Sequence, residues 1–218
     1  MIKSKKNLKK SSKIWLNRQH KDLFVKQAKQ AGYRSRAAYK LLELQKKYFL
    51  LKPGMSVIDL GAAPGSWSQV AINCIAPENN KLQGKLLAVD ILPIEPIKNV
   101  DIINGDFTSE LIFKKICDKL TLGDKKVDII LSDLAPNLTG IWVVDIPKAM
   151  YLNELSMNLV QRLLKKNGDF LIKLFNGQGV QEYLSKLRKS FSKVIICKPK
   201  CSRAESREVY VLGKGYNL

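Results

Sequence analysis

The chain has 218 residues, 45% of them apolar, with 38 basic against 19 acidic side chains and a formal net charge of +19. This length and apolar content suit one globular domain with a full core, and exclude a disordered or fibrous chain. The charge points to a polyanion such as RNA, DNA or an anionic membrane, although lysine excess also follows genome composition and only seven of the basic residues are arginine.

In chain order, residues 1–26 are polar and basic with little periodicity, and read as a basic N-terminal arm ahead of a single domain over 27–218. They hold no hydrophobic signal core, and no run is long enough to span a membrane, so a cytoplasmic protein is expected. Ser35 then caps a helical stretch, R-A-A-Y-K-L-L-E-L-Q-K-K-Y, broken by Lys52-Pro53-Gly54. Short apolar strands follow at Ser56–Leu60, Lys85–Asp90, Val100–Asn104, Val127–Ser132 and Asp169–Leu174. Helices are expected between them at Ser66–Ile75, Ser109–Leu120 and Lys148–Lys165. A last helix, Val180–Ser190, precedes strands at Val194–Lys198 and Arg207–Leu212. Strand–helix alternation means a mostly parallel α/β sheet with helices on both faces. The closing strand pair lacks a helix between its members, which suggests an antiparallel strand at the end of the sheet.

Residues 57–70, V-I-D-L-G-A-A-P-G-S-W-S-Q-V, join a strand to a helix through a loop of small residues. In an open parallel sheet that place is where ligands bind. The loop lacks the G-K-[ST] of a phosphate loop and the G-x-G-x-x-G of a dinucleotide site. Asp90 ends the next strand, where a carboxylate can accept both hydroxyls of a ribose. Asp106 follows the third strand beside Phe107, an acid and an apolar wall suited to an adenine. A glycine loop without phosphate recognition, a ribose acid and an adenine acid in this order suggest S-adenosylmethionine. Each acid taken singly could equally be a helix cap.

Cys74, Cys117, Cys197 and Cys201 are scattered, and Cys197-x3-Cys201 has no partner pair. The only histidine is His20. No metal is expected, and this chain alone cannot build a Ser-His-Asp triad around a central histidine.

D-L-G-A-A-P-G-S-W-S-Q resembles motif I of the FtsJ/RrmJ family of ribose 2′-O-methyltransferases. The likeness continues through S-R-A-A-Y-K-L upstream, V-D at 89–90, G-D-F at 105–107 and S-D-L-A-P-N at 132–137. It extends to D-I-P-K-A-M-Y-L at 145–152, L-I-K-L-F at 171–175 and S-R-x-x-S-R-E-V-Y at 202–210. It covers nearly the whole chain from about residue 12, and is closest to the bacterial enzymes acting on large-subunit ribosomal RNA. It implies a Rossmann-like methyltransferase fold with a seven-stranded sheet, mostly parallel with one antiparallel strand. It also implies S-adenosylmethionine as methyl donor, bound by Gly65, Trp67, Asp90, Asp106 and Asp133. The family's Gly-Gly-Trp stands here as Gly65-Ser66-Trp67, which keeps the backbone path unless Ser66 needs a left-handed conformation.

The family's Lys-Asp-Lys-Glu tetrad falls on Lys40, Asp133, Lys173 and Glu208. The residues themselves suit such a cluster. Lys173 interrupts the apolar run F-L-I-K-L-F, Asp133 ends a strand, Lys40 has Ala37, Leu41 and Leu44 as helical neighbours, and Glu208 leads into V-Y-V-L. Buried charges must be paired, so two lysines and two acids brought together satisfy one another. A ribose hydroxyl attacks well only once its proton has a destination. A lysine made less basic by burial and a second cation can accept it, and we assign that role to Lys173. Asp133 and Lys40 would orient the reacting groups, with Glu208 positioning the tetrad.

The implied substrate is a uridine ribose in 23S ribosomal RNA, within the large (50S) subunit, with no membrane and no obligate protein partner. Arg34, Arg36, Lys198, Lys200, Arg203, Arg207 and the N-terminal arm are expected to meet phosphates, with Tyr33 a stacking candidate. Two other readings stay open at this stage: a non-catalytic RNA-binding or ribosome-assembly factor, and a small-molecule methyltransferase of the same fold.

Overall fold

The apolar runs become seven strands in one sheet of order β3-β2-β1-β4-β5-β7-β6. They are β1 (Ser56–Leu60), β2 (Lys85–Asp90), β3 (Val100–Asn104), β4 (Val127–Ser132), β5 (Leu164–Phe175), β6 (Phe191–Cys197) and β7 (Glu208–Tyr216). The computed structural model describes residues 22–78, 81, 83–120, 126–203 and 205–217. Most of the expected basic arm, residues 1–21, lies outside the described residues. The helices are α1 (Leu23–Gln30), α2 (Ala38–Tyr48), α3 (Ser66–Ile75), α4 (Glu110–Lys119), α5 (Trp142–Leu163) and α6 (Val180–Ser190). None of the described helices is long and apolar enough to cross a membrane.

Burial on both faces explains why the central strands read as continuous apolar runs. Ile58 and Leu60 of β1 join a cluster with Ile116 of α4, Val160 of α5 and Leu187 of α6. Val57, pointing the other way, joins Leu41 of α2 and Val70 of α3 on the opposite face. The chain leaves β1 towards β2 and β3, then returns to β4 on the other side of β1. The order therefore reverses between β1 and β4, and a crevice opens where their carboxyl ends part. The two ends are joined where Asp133 N–H donates to the Leu60 carbonyl at 3.1 Å.

Three expectations need correction. The antiparallel strand is β7, but it does not end the sheet: it lies between β5 and β6, pairing antiparallel with both. Helix α5 begins at Trp142 rather than after Pro147, so the proline sits inside the helix. Proline costs the helix a bond to the carbonyl four residues back, here on Val143, which is 85% exposed and can be solvated. Ser35 is not the N-cap of α2. That position is Ala37, whose N–H bonds Ser35 Oγ, two residues earlier, at 3.2 Å. In addition, α1 forms where the sequence showed little pattern, with Asp22 capping it by accepting from Phe24 N–H.

Candidate active site

The loop after β1 is built from residues that permit a tight path. Gly61 has φ 71°, and an added Cβ there would meet Leu134 at 2.9 Å. Gly65 N–H closes a turn on the Ala62 carbonyl at 2.6 Å, and Gly65, at φ 109°, caps α3. Ser66 is the first residue of α3 and not among the positive-φ positions, so the backbone path survives its side chain. Its buried hydroxyl bonds Ser35 Oγ at 2.8 Å, tying the loop to the segment before α2.

Beside this loop lies a cavity of about 800 Å³. Asp90, Asp106 and Asp133 line it together with Gly61, Phe107 and Tyr151. Asp90 braces the wall: Oδ2 accepts from Ala63 N–H at 2.9 Å and Oδ1 from Leu92 N–H at 2.8 Å. Asp106 Oδ1 accepts from the Thr108 amide and hydroxyl. Gly65 and Trp67 are not part of this cavity's wall. Trp67 is buried behind the loop, donating to the Ala37 carbonyl at 2.9 Å and packing on Tyr210 at 5.6 Å between rings. It lines a smaller adjoining pocket that also reaches Asp133.

The tetrad residues meet at the edge of this cavity as two ion pairs. Lys173 Nζ lies 3.0 Å from Asp133 Oδ1 and donates to the Asp133 carbonyl at 2.6 Å. Lys40 Nζ lies 2.8 Å from Glu208 Oε1, which also accepts from Ser202 Oγ at 2.9 Å. Register brings them together. Lys173 of β5 faces Tyr210 of β7, and Phe175 faces Glu208, so β7 presents Glu208 and Tyr210 on one face beside Lys173.

Tyr210 is the member the sequence reading missed. Its hydroxyl donates to Asp133 Oδ1 at 2.8 Å, and Lys40 Nζ lies 5.5 Å above its ring. It thereby bridges the two ion pairs. The available signal was its spacing of two from Glu208 in E-V-Y. Burial, then the charges of Asp133 and Glu208, push the Tyr210 hydroxyl well above its ordinary pKa, so it remains a donor. Burial alone would raise the Asp133 carboxyl. The charges of Lys173 and Lys40 and hydrogen bonds from Lys173 and Tyr210 outweigh it and hold Asp133 below the ordinary value.

Two further acids were also missed. Asp59 is fully buried under the loop; Ser68 Oγ donates to its Oδ2 at 2.7 Å, and Oδ1 has no partner. Burial raises its pKa to about 7, with Ser68 opposing and the charges of Asp133 and Asp90 adding to the rise. Asp145, buried in the first turn of α5, accepts from the Thr139 amide and hydroxyl and from Gly140 N–H, each at 2.9 Å. Those bonds fix the loop that carries Asn137 from the cavity wall to α5.

Several side chains expected to face phosphates have internal partners. Arg34 donates to the Pro64, Glu95 and Pro96 carbonyls at 2.8, 2.7 and 2.9 Å. Arg36 bonds Asp22 and the Cys201 carbonyl, and Arg203 lies 3.6 Å from the same Asp22. Lys198 donates to the Ser206 carbonyl, while the Lys200 backbone N–H is held by Glu43. Tyr33 is half-buried against Tyr39. Cys74, Cys117, Cys197 and Cys201 form no disulfide.

The family model for FtsJ-like methyltransferases matches residues 33–216. The ribosomal RNA large subunit methyltransferase E of Alkalilimnicola ehrlichii is 49% identical over 207 residues, spanning 95% of this chain and 96% of that protein. The protein of the same name from Legionella pneumophila is 46% identical over 209 residues, spanning 96% and 98%. A crystal structure described as a ribosomal RNA methyltransferase from Plasmodium falciparum superposes with a TM-score of 0.74 at 32% identity, covering 84% of this chain and 98% of that one.

Proposed function

The chain belongs to the FtsJ-like methyltransferase family, and we propose that it methylates the 2′-hydroxyl of a ribose, expected to be a uridine's, in 23S ribosomal RNA of the large subunit. The observation that carries this reading is the pairing of a buried lysine with Asp133 at the rim of the 800 Å³ cavity. S-adenosylmethionine, when bound, supplies a methyl group already activated by its sulfonium charge. The cavity suits it. The glycine at 61 keeps the wall open where a Cβ would strike Leu134. Each Asp90 oxygen keeps lone pairs beyond the one given to its backbone donor, enough to receive a ribose diol. Asp106 and Phe107 offer a carboxylate and an apolar wall for an adenine.

The geometry at Lys173 supports a route for the proton. Lys173 is an ammonium in its ion pair with Asp133, and once that ammonium has given a proton to solvent the amine has two N–H bonds and one lone pair. Both N–H groups have acceptors on Asp133, the carbonyl and Oδ1. The lone pair is then directed away from them, free for the 2′-hydroxyl proton as the oxygen takes the methyl group. The ammonium so formed is offset by the Asp133 carboxylate, which Tyr210 holds by its hydroxyl. Lys40 lies over the Tyr210 ring and pairs with Glu208, a second ion pair able to fix the incoming ribose. Positioning accounts for the remainder of the rate by aligning oxygen, methyl carbon and sulfur.

A labelled-methyl assay on large ribosomal subunits lacking the modification tests the reading, run beside protein-free RNA and in the expected cytoplasmic salt range. Incorporation at a ribose is expected with the wild type, and none with Lys173→Ala, whose S-adenosylmethionine affinity stays within about two-fold. Unreduced incorporation by Lys173→Ala would sink the mechanism; none by the wild type would sink the substrate.

A further inference from the structure

An aromatic and cationic track leads outward from Lys173. Lys173 Nζ lies 5.9 Å from the centroid of the Phe175 ring, and Phe175 packs on Trp142 at 6.2 Å between rings. The Arg207 guanidinium carbon lies 5.2 Å from the centroid of Trp142. Phe175 is buried, Trp142 is half-buried and Arg207 is exposed, so the track rises from the site to the surface. Trp142 keeps part of its surface open, between the exposed Ile141 (61%) and Val143 (85%). Both supports of Trp142 are fixed. Asp145 pins the preceding loop by three hydrogen bonds, and the Arg207 carbonyl accepts from Asn176 N–H next to Phe175.

We propose that Trp142, capped by Arg207, is the stacking platform for an unpaired RNA base flanking the methylated ribose. The inference rests on the RNA 2′-O-methylation reading above. A ribose whose hydroxyl reaches a buried lysine must leave regular helical stacking, and the base beside it then needs a new surface. Single-stranded RNA is held by combining aromatic faces with basic side chains, and a half-buried indole beside a guanidinium combines the two. A base has a π face for the indole, and its phosphate has charge for Arg207. An apolar protein segment would satisfy the ring but leave the guanidinium unpaired.

The test compares Trp142→Phe, Trp142→Leu and Trp142→Ala in the methyl-transfer assay on undermodified large subunits, with S-adenosylmethionine affinity measured for each. Trp142→Ala should raise the KM for the subunit about ten-fold, the order expected for one lost base stack, with kcat and S-adenosylmethionine affinity unchanged. Phenylalanine should recover most of that loss and leucine little, because only the former offers a π face. Equal recovery by leucine and phenylalanine would mean a generic apolar contact, and would overturn the proposal. So would a KM within two-fold of wild type for Trp142→Ala, or a fall in S-adenosylmethionine affinity, which would make Trp142 a support of the cavity. The wild-type reaction measured alongside separates these failures from a failure of the RNA methylation reading itself.

Discussion

Asp59→Asn should change how stability depends on pH, and the size follows from the site. The carboxyl is fully buried, one oxygen has no partner, and Asp133 and Asp90 add negative potential, so its pKa is raised from 3.8 to about 7. Across that interval the folded protein holds a proton that the unfolded chain releases. The stabilisation is complete below pH 3.8, declines as pH rises, and is gone above about pH 7. At about 1.4 kcal/mol per pH unit the interval corresponds to about 4 kcal/mol. Asparagine imitates the protonated form without titrating, and its carbonyl oxygen can accept from Ser68 Oγ as the Asp59 oxygen does. Urea unfolding of both proteins from pH 5 to pH 8.5 isolates this group, because every other titrating group is common to the pair. The variant should gain on the wild type by roughly 2 kcal/mol between pH 5 and pH 6.5, then level off. A difference that stays constant over the whole range would mean that Asp59 is ionised in the folded protein, and would refute the reasoning.

Tyr210→Phe removes the hydroxyl that Asp133 accepts while keeping the ring beneath Lys40. It should cost about 1.5–3 kcal/mol, the range for a hydrogen bond to a charged group. It should also lower kcat with S-adenosylmethionine affinity unchanged, checked by urea unfolding and steady-state kinetics. Because Asp133 is held below its ordinary pKa, that stabilisation is present above the unfolded carboxylate pKa and fades as pH falls through the folded one. Gly61→Ala places a Cβ 2.9 Å from Leu134 at φ 71°, and should lose about 1–3 kcal/mol of stability and weaken S-adenosylmethionine binding by calorimetry. Arg34→Lys should speed amide hydrogen exchange at residues 92–98, because one ammonium cannot reproduce a planar fork that reaches three carbonyls.

What could be read from the sequence was local or motif-bound. The strands around the crevice are buried on both faces, so β1, β2 and β4 announced themselves as apolar runs, and Lys173 stood out as the exception within one. The position of β7 did not, because strand order is a non-local choice that no single segment encodes. That choice is also what made Tyr210 invisible, since its role depends on lying opposite Lys173 across the β5–β7 pair. Helix α1 escaped notice because Leu23, Phe24 and Ala28 form a thin apolar stripe among lysines, fixed mainly by the Asp22 cap and by Arg36 lying over Phe24. The early start of α5 was hidden by Pro147, a strong stop signal that an exposed Val143 carbonyl renders tolerable.

The charge reading also changes meaning once the partners are known. Arg34, Arg36, Arg203 and Arg207 were expected to meet phosphates, yet each has an internal partner: carbonyls, Asp22 or the Trp142 ring. Arg162 likewise pairs with Glu110 and lies over Phe113. Guanidinium suits such work because its planar fork satisfies several acceptors at once and stacks on rings. Most of the described lysines, Lys40 and Lys173 excepted, carry compact, strongly hydrated charges at the surface. Attraction for the RNA backbone therefore falls mainly to lysine, with Arg207 beside Trp142 the exception, while Arg34, Arg36 and Arg203 hold together the segments around the cavity and tetrad. Replacing surface lysines should lower affinity and flatten its salt dependence without altering kcat, whereas replacing Arg34 or Arg36 should disturb the site at any ionic strength. A steep loss of salt dependence in Arg34→Ala, with stability and S-adenosylmethionine affinity intact, would reverse that assignment.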